Sequence, residues 1–228
     1  MKARFWPLAC VVFGLATLGV TLAFSQLPDV KAAYPGDDFS RAMNAFQRAE
    51  TPADLAAIFR APADPAILEA MRAANQLDLW VYIAAYSLFL IAGAAMLAGG
   101  LRRPIVWLAI VPTLLGAGGD VVETITQLRI VADYAQADAL LPVATWFWLK
   151  FFGLALGAFG TSAICLIARP RHPIIAALGV IPILATLALW LKADTPPLMT
   201  GAFGVFWVGL LVLAILSSVR PESAPSTT

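Results

Sequence analysis

Long apolar runs, separated by short polar breaks, dominate the pattern of the chain. The runs of membrane length cover about residues 6–25, 79–100, 104–126, 143–168, 173–191 and 198–219. About 20 consecutive apolar residues are enough to cross a bilayer as a helix, and a helix satisfies its own backbone hydrogen bonds there. The breaks between the last five runs carry Arg, Pro, Asp or Lys, as loops at a bilayer surface do. The pattern predicts an all-α bundle of six transmembrane helices.

The first run has two interpretations. Lys2 and Arg4 precede the apolar stretch 8–24, and Ala23-Phe24-Ser25 resembles a cleavage site, so residues 1–25 could be a secretory signal. The apolar stretch is longer than the 7–15 residues usual for a signal. We therefore favour an uncleaved first transmembrane helix, with the signal peptide as the alternative.

The charges are distributed unequally between the two sides of the predicted bundle. With both termini in the cytoplasm, the inner side holds seven of the fifteen basic residues, whereas eleven of the fourteen acids lie outside. The seven basic residues are Lys2, Arg4, Arg102, Arg103, Arg169, Arg171 and Arg220. Because Lys- and Arg-rich loops stay in the cytoplasm, we expect both termini to be cytoplasmic. The Ala and Arg bias of the composition suggests a bacterial cytoplasmic (inner) membrane.

Residues 26–77 form the one sizeable segment outside the predicted membrane, and we expect it to be extracytoplasmic. Thr51-Pro52 and Asp64-Pro65 each combine a capping residue with a proline suited to a first helical position. They predict two or three short helices, the last running into the second span. The apolar side of these helices is expected to pack on the bundle or on lipid headgroups. Its residues are Phe39, Phe46, Leu55, Ile58, Phe59 and Leu68. Residues 78–220 then form a five-helix bundle, and 221–228 a disordered tail.

The composition excludes several classes of protein. With 61% hydrophobic and 13% charged residues, the chain is unlike a soluble domain. A net charge of +1 without a basic block gives no indication of nucleic-acid binding. Cys10 and Cys165 lie inside apolar runs, and His172 is the single histidine. We therefore expect no disulfide, no metal site and no cofactor.

Three charges lie within the predicted spans: Asp120, Glu123 and Lys150. Each would cost about 2.5–3.5 kcal/mol at a helix centre. At a rise of 1.5 Å per residue, Asp120 lies about 24 Å from the start of the third span, and Lys150 about 12 Å into the descending fourth. Helical side chains lean toward their own N-terminus. Asp120 and Lys150 on antiparallel neighbours therefore lean toward each other, which predicts an ion pair in the outer half of the bundle.

Small and polar residues extend this face on the neighbouring helices. They recur at helical spacing as Thr113, Gly116, Asp120, Glu123 and Gln127 on the third helix, and as Lys150, Gly153, Gly157 and Thr161 on the fourth. Small residues let helix backbones approach closely in lipid. The second helix adds Asp78 at the surface, with Tyr82 and Tyr86 below it as hydroxyl donors for the carboxylates.

Asp78, Tyr86, the Asp120-x-x-Glu123 pair and Lys150, in this order, resemble a loosely defined group of uncharacterised bacterial multi-pass membrane proteins. In that group a D-x-x-E, often followed by Asn, precedes a helix bearing a lysine. Thr124 stands where the Asn would be. The resemblance covers about residues 50–165 and implies no function.

Three interpretations of these residues remain open. In the first, the ion pair only fixes helix packing in a membrane scaffold. In the second, two carboxylates share one ammonium, and the unmatched acid binds a cation or exchanges protons. The protein would then bind or transport a small polar or cationic ligand through Asp120, Glu123, Lys150, Tyr86, Tyr82 and Asp78. In the third, Asp120 or Glu123 is the general base of a lipid-modifying enzyme. No histidine base or catalytic motif supports this interpretation.

Overall fold

The computed structural model describes residues 4–36, 38–168, 171–191 and 196–219, and all regular structure within them is helical. Six stretches are long and apolar enough to span a membrane. They are Phe5–Ala33, Pro65–Ala98, Pro104–Ala132, Ala144–Ile167, Pro173–Trp190 and Pro197–Val219. The predicted all-α architecture, with six helices long and apolar enough to span a membrane, is thus confirmed. The predicted tail 221–228 lies outside the described residues, as do Lys2, Asp37, Arg169, Lys192, Asp194 and Arg220.

The helices follow one another along the chain as α1 (Phe5–Phe24), α2 (Pro28–Ala33), α3 (Phe39–Gln47), α4 (Pro52–Phe59), α5 (Pro65–Leu77), α6 (Ile83–Ala98), α7 (Trp107–Ala132), α8 (Ala144–Ile167), α9 (Pro173–Trp190) and α10 (Pro196–Val219). A π-helical turn, Asp78–Tyr82, joins α5 to α6, so that a single continuous helix forms the second span. Short 3₁₀ helices, Pro104–Val106 and Tyr134–Leu140, precede and follow α7.

The segment 26–77 contains four helices, α2 to α5, where two or three were predicted. The predicted caps are present. Thr51 forms a capping box with Asp54 at the start of α4, and the Asp64 side chain accepts a hydrogen bond from the Ala66 N–H at the start of α5. As predicted, α5 continues into the second span. The backbone N–H groups of Glu50 and Thr51, which donate to the Asp54 carboxylate, lower the pKa of Asp54 from its ordinary value of 3.8.

The apolar side of this segment packs on the bundle. Phe46, Leu55 and Phe59 are buried in one cluster with Ile130 and Val131 at the end of α7. This contact explains why α7 continues to Ala132, although the sequence suggested an end of the span near residue 126. We call the end of the bundle that carries α2, α3 and α4 the capped end.

The backbones of α7 and α8 lie in close contact. A Cβ atom built on Gly153 would lie 2.5 Å from the Cα atom of Gly116, and one built on Gly119 would lie 2.9 Å from the backbone nitrogen of Lys150. Glycine is required at these positions because any side chain would push the two backbones apart. The close contact brings Lys150 directly against the α7 face that carries the buried acids.

Candidate functional site

Lys150 lies between the two predicted acids of α7. Its Nζ donates to Asp120 Oδ1 at 2.9 Å and to Glu123 Oε1 at 3.1 Å. The three side chains are 6%, 4% and 0% exposed, respectively. The predicted contact between Lys150 and Asp120 is therefore confirmed.

Both acids contact the ammonium group of Lys150, so neither lies apart from the ion pair. Asp120 and Glu123 lie three residues apart on one face of α7, so a single ammonium group reaches both. The charge is nevertheless not balanced, because two carboxylates share one ammonium. Glu123 Oε2 is buried and has no hydrogen-bond partner among the described residues.

Tyr86 completes the surroundings of Asp120. Its hydroxyl donates to Asp120 Oδ2 at 2.7 Å, so both oxygens of this carboxylate are hydrogen-bonded. A hydrogen bond to a charged acceptor contributes about 1.5–3 kcal/mol. Gln127 Nε2 makes a longer contact of 3.4 Å with Glu123 Oε1. The predicted role of Tyr86 as a donor to a carboxylate agrees with this geometry.

Asp78 lies deeper than the sequence suggested. It was expected at the surface, but it is partly buried on the π-helical turn and accepts a hydrogen bond from Thr124 Oγ1 at 3.0 Å. Thr124 follows Asp120 by four residues, which places the two side chains on the same face of α7. This spacing is the signal that could have identified Thr124. A third carboxylate therefore adjoins the two that contact Lys150.

Tyr82 does not donate to the carboxylates, contrary to the expectation for its hydroxyl. That hydroxyl accepts a hydrogen bond from Thr21 on α1 at 3.4 Å. The ring packs edge-on against Tyr86 and Phe24, with centroid distances of 5.4 Å in both cases. Because Tyr82 lies on the π-helical turn, its position around the helix axis differs from that of a regular α-helix. The side chain of Tyr82 thus lies between α1 and the carboxylates.

A cavity of about 460 Å³ adjoins this group. Asp78, Asp120 and Lys150 line it together with Tyr82 and Tyr86, whereas Glu123 lies behind Lys150 and is not part of its wall. Its volume is in the range of 300–1,000 Å³ typical of ligand pockets, which combine apolar walls with a few polar groups.

Sequence reasoning missed two further wall residues. Trp207 of α10 stacks on Tyr86 with a centroid distance of 5.7 Å, and its indole nitrogen has no partner among the described residues. Asn75 of α5 is 1% exposed, and its Nδ2 is likewise unpartnered there. Both residues line the cavity. Trp207 lies in mid-span without a polar neighbour in the sequence, so no pattern identified it. Asn75 lies one turn before Asp78, a spacing that could have identified it.

The polar and aromatic groups of the arrangement are carboxylates, one ammonium group and the rings of Tyr82, Tyr86 and Trp207. Within the described residues, no three His, Cys, Asp or Glu side chains are grouped to hold a metal ion. Cys10 and Cys165 are buried free thiols. Three carboxyl groups against one ammonium group give the site an excess of negative charge when all are ionised. The charge of the site therefore complements a positively charged ligand best.

Comparisons with protein-family models, with curated proteins and with solved structures give no match for this chain. The resemblance to a group of bacterial membrane proteins therefore stays a prediction, and the function has to be argued from the geometry of the site.

Proposed function

We propose that this integral membrane protein binds a small polar or cationic ligand in the cavity beside Asp78, Asp120 and Lys150, and that binding is linked to a proton. The observation that carries the proposal is the imbalance of charge. Two carboxyl groups contact one ammonium group, and the third, that of Asp78, adjoins them next to a cavity large enough for a ligand. Buried carboxylates without a counter-charge are costly in a membrane, and a bound cation would offset that cost.

Glu123 is the group we propose to exchange the proton. It shares the ammonium of Lys150 with Asp120 but does not line the cavity. A cation bound beside Asp120 would shift the ammonium toward Glu123 and favour the ionised form of Glu123. Binding would then release a proton. The other groups that face this centre are Asp78, Tyr82 and Tyr86.

We further propose that the capped end faces the outside of a bacterial cytoplasmic membrane. Among the described residues, Arg4, Arg102, Arg103 and Arg171 adjoin the ends of spans opposite the capped end. Positive charges favour the cytoplasmic side. A fluorescent protein that matures only in the cytoplasm, fused to the C-terminus, should therefore fluoresce in bacterial cells. Absence of fluorescence from a fully expressed fusion would contradict this orientation.

Ligand binding can be tested with tetramethylammonium on the full-length protein in lipid nanodiscs. We expect saturable heat of binding and proton release into weakly buffered solution. Asp120→Asn should abolish the heat, Glu123→Gln should abolish only the proton release, and Asp138→Asn, an exposed acid outside the cavity, should change neither. Absence of saturable binding to the wild-type protein would refute the proposal.

The buried, hydrogen-bonded ion pair also favours a second function, that of a scaffold in which the charges only fix the packing of α7 on α8. The double variant Asp120→Lys, Lys150→Asp keeps opposite charges on the two helices. If the charges only hold the two helices together, this variant should fold and should function as the wild-type protein does. If the site binds a cation, it should fold but lose tetramethylammonium binding.

A further inference from the structure

Helices α1 and α10 pack against each other and line a cleft between them. A Cβ atom built on Gly14 of α1 would lie 2.9 Å from Leu211 of α10, so the two helices touch there. The cavity-lining residues of α1 run from Gly14 to Phe24, and those of α10 run from Thr200 to Leu211. All of them lie at this contact or on its capped-end side. At 1.5 Å per residue, the cleft extends about 15 Å from the contact toward the capped end.

The cleft borders the surface that the bundle presents to lipid. On α1, Leu15, Leu18 and Leu22 are exposed at i, i+3 and i+7, which makes them one stripe along the helix. Leu15 and Leu22 do not line the cavity, so this stripe faces outward. Leu18, which is 45% exposed, belongs to the stripe and also lines the cavity.

The opposite side of the cleft repeats this arrangement. On α10, Val205, Val208 and Val212 form an exposed stripe with the same spacing. Among them only Val208, which is 54% exposed, lines the cavity. Leu18 and Val208, the exposed edges of the cleft between α1 and α10, are therefore apolar residues of helices long enough to span a membrane, whereas Ser40, Asn44 and Gln47 of α3 line the cavity at the capped end.

The part of the cleft that lies inside the bundle is lined by charged and aromatic side chains. Asp78 and Asp120 line it, and the stacked rings of Tyr86 and Trp207 stand beside them. Aromatic faces attract organic cations, most strongly where water is excluded. The unpartnered and buried Nδ2 of Asn75 is an independent indication that a ligand group is accommodated here.

We infer that the ligand is an amphiphilic organic cation, an alkylammonium compound, which enters from the lipid between α1 and α10. Its ammonium head lies near Asp78 and Asp120, and its alkyl chain lies in the apolar cleft. This inference rests on the proposed function and adds to it the class of ligand and the route of entry. A cation without an alkyl chain would use the charged end of the cavity but leave the cleft between Leu18 and Val208 empty.

Photolabelling tests the inference directly. The full-length protein in nanodiscs of digalactosyldiacylglycerol, a lipid without an ammonium group, is irradiated with dodecyltrimethylammonium carrying a diazirine in its chain, and the adducts are mapped by mass spectrometry. We expect adducts within residues 14–24 and 200–211 that excess unlabelled dodecyltrimethylammonium removes. The uncharged carbon isostere with a tert-butyl head should not remove them.

Two glycines of α10 provide a matched pair of variants. Cβ atoms built on Gly201 and on Gly204 meet nothing within 4 Å, so both positions accept a large side chain. Only Gly204 lines the cavity. Gly204→Trp should abolish the competed labelling, whereas Gly201→Trp should leave it unchanged. Leu18→Trp and Leu15→Trp form a second pair on α1 with the same expectation, should a variant of α10 fail to fold.

The outcomes separate this inference from the proposed function. Saturable tetramethylammonium binding without competed labelling of the cleft would overturn lateral entry and leave the proposed function standing. Labelling that the uncharged isostere removes equally well would overturn the assignment of a cation. Absence of specific binding by both ammonium compounds would overturn the inference and the proposed function together.

Discussion

Removal of the ammonium group of Lys150 is the most direct test of how the buried charges contribute to stability. Lys150→Met keeps much of the length of the side chain but leaves Asp120 and Glu123 facing each other without a counter-charge. Their side chains are 4% and 0% exposed, so water does not replace the lost contacts. We expect a large loss of stability.

The magnitude follows from the two contacts. Hydrogen bonds to charged groups contribute about 1.5–3 kcal/mol each, and Lys150 makes two, at 2.9 and 3.1 Å. Breaking a buried ion pair by removing one partner costs about 3–5 kcal/mol, because the remaining charge is uncompensated. The two figures agree on a loss of about 3–5 kcal/mol in the free energy of unfolding.

The assay is equilibrium unfolding in mixed micelles with increasing sodium dodecyl sulfate. Lys31→Met, at an exposed position of α2, is the matched control and should change the free energy by less than about 0.5 kcal/mol. The triple variant that adds Asp120→Asn and Glu123→Gln should regain more than half of the loss, because no buried charge is then left unpaired. A loss below about 1 kcal/mol for Lys150→Met, or a triple variant no more stable than the single one, would refute the reasoning.

Three further predictions concern helix packing, the hydroxyl groups and a helix cap. Gly153→Ala should lower the free energy of unfolding by about 1–3 kcal/mol, since its Cβ would strike backbone atoms; Gly118→Ala, where the space is open, should not lower it. Tyr86→Phe should cost about 1.5–3 kcal/mol and Tyr82→Phe less than about 0.5 kcal/mol in the same assay; equal losses would contradict the hydrogen-bond assignment. Folding lowers the pKa of Asp54, so its stabilisation of α4 is present above pH 3.8 and is lost as the pH falls through the lowered value. Hydrogen exchange of α4 should be faster in Asp54→Ala than in the wild type at neutral pH, and this difference should disappear in acid; a difference independent of pH would contradict the capping argument.

The sequence predicted what depends on local spacing. Apolar runs of membrane length identified the six spans, and Thr51 and Asp64 identified two helix starts because capping needs only a few consecutive residues. The contact between Lys150 and Asp120 was also predictable, because a short connection makes their helices antiparallel neighbours.

The sequence could not predict what depends on the path of the backbone or on distant helices. The charge of Asp78 suggested a helix end, but the chain passes through it as a π-helical turn that brings the carboxylate inward and directs Tyr82 to α1. The cavity depends on α1 and α10, which lie at opposite ends of the chain. No periodicity in either helix indicates that they line a common cavity.

The site therefore has one firmly packed side and one open side. On the packed side, Gly116 and Gly153 hold α7 and α8 in backbone contact and fix Lys150 between its two acids. On the open side, α1 and α10 are in contact near Gly14 and Leu211 and line the cavity from there toward the capped end. Asp78 lies on a third element, the π-helical turn, and does not contact Lys150 directly. A cation can therefore lie beside Asp78 and Asp120 while Lys150 keeps its contact with Glu123, so that α7 remains held to α8. Structural changes on ligand binding should accordingly concentrate in α1 and α10. The rate of hydrogen exchange should therefore change in these two helices and stay the same where α7 contacts α8.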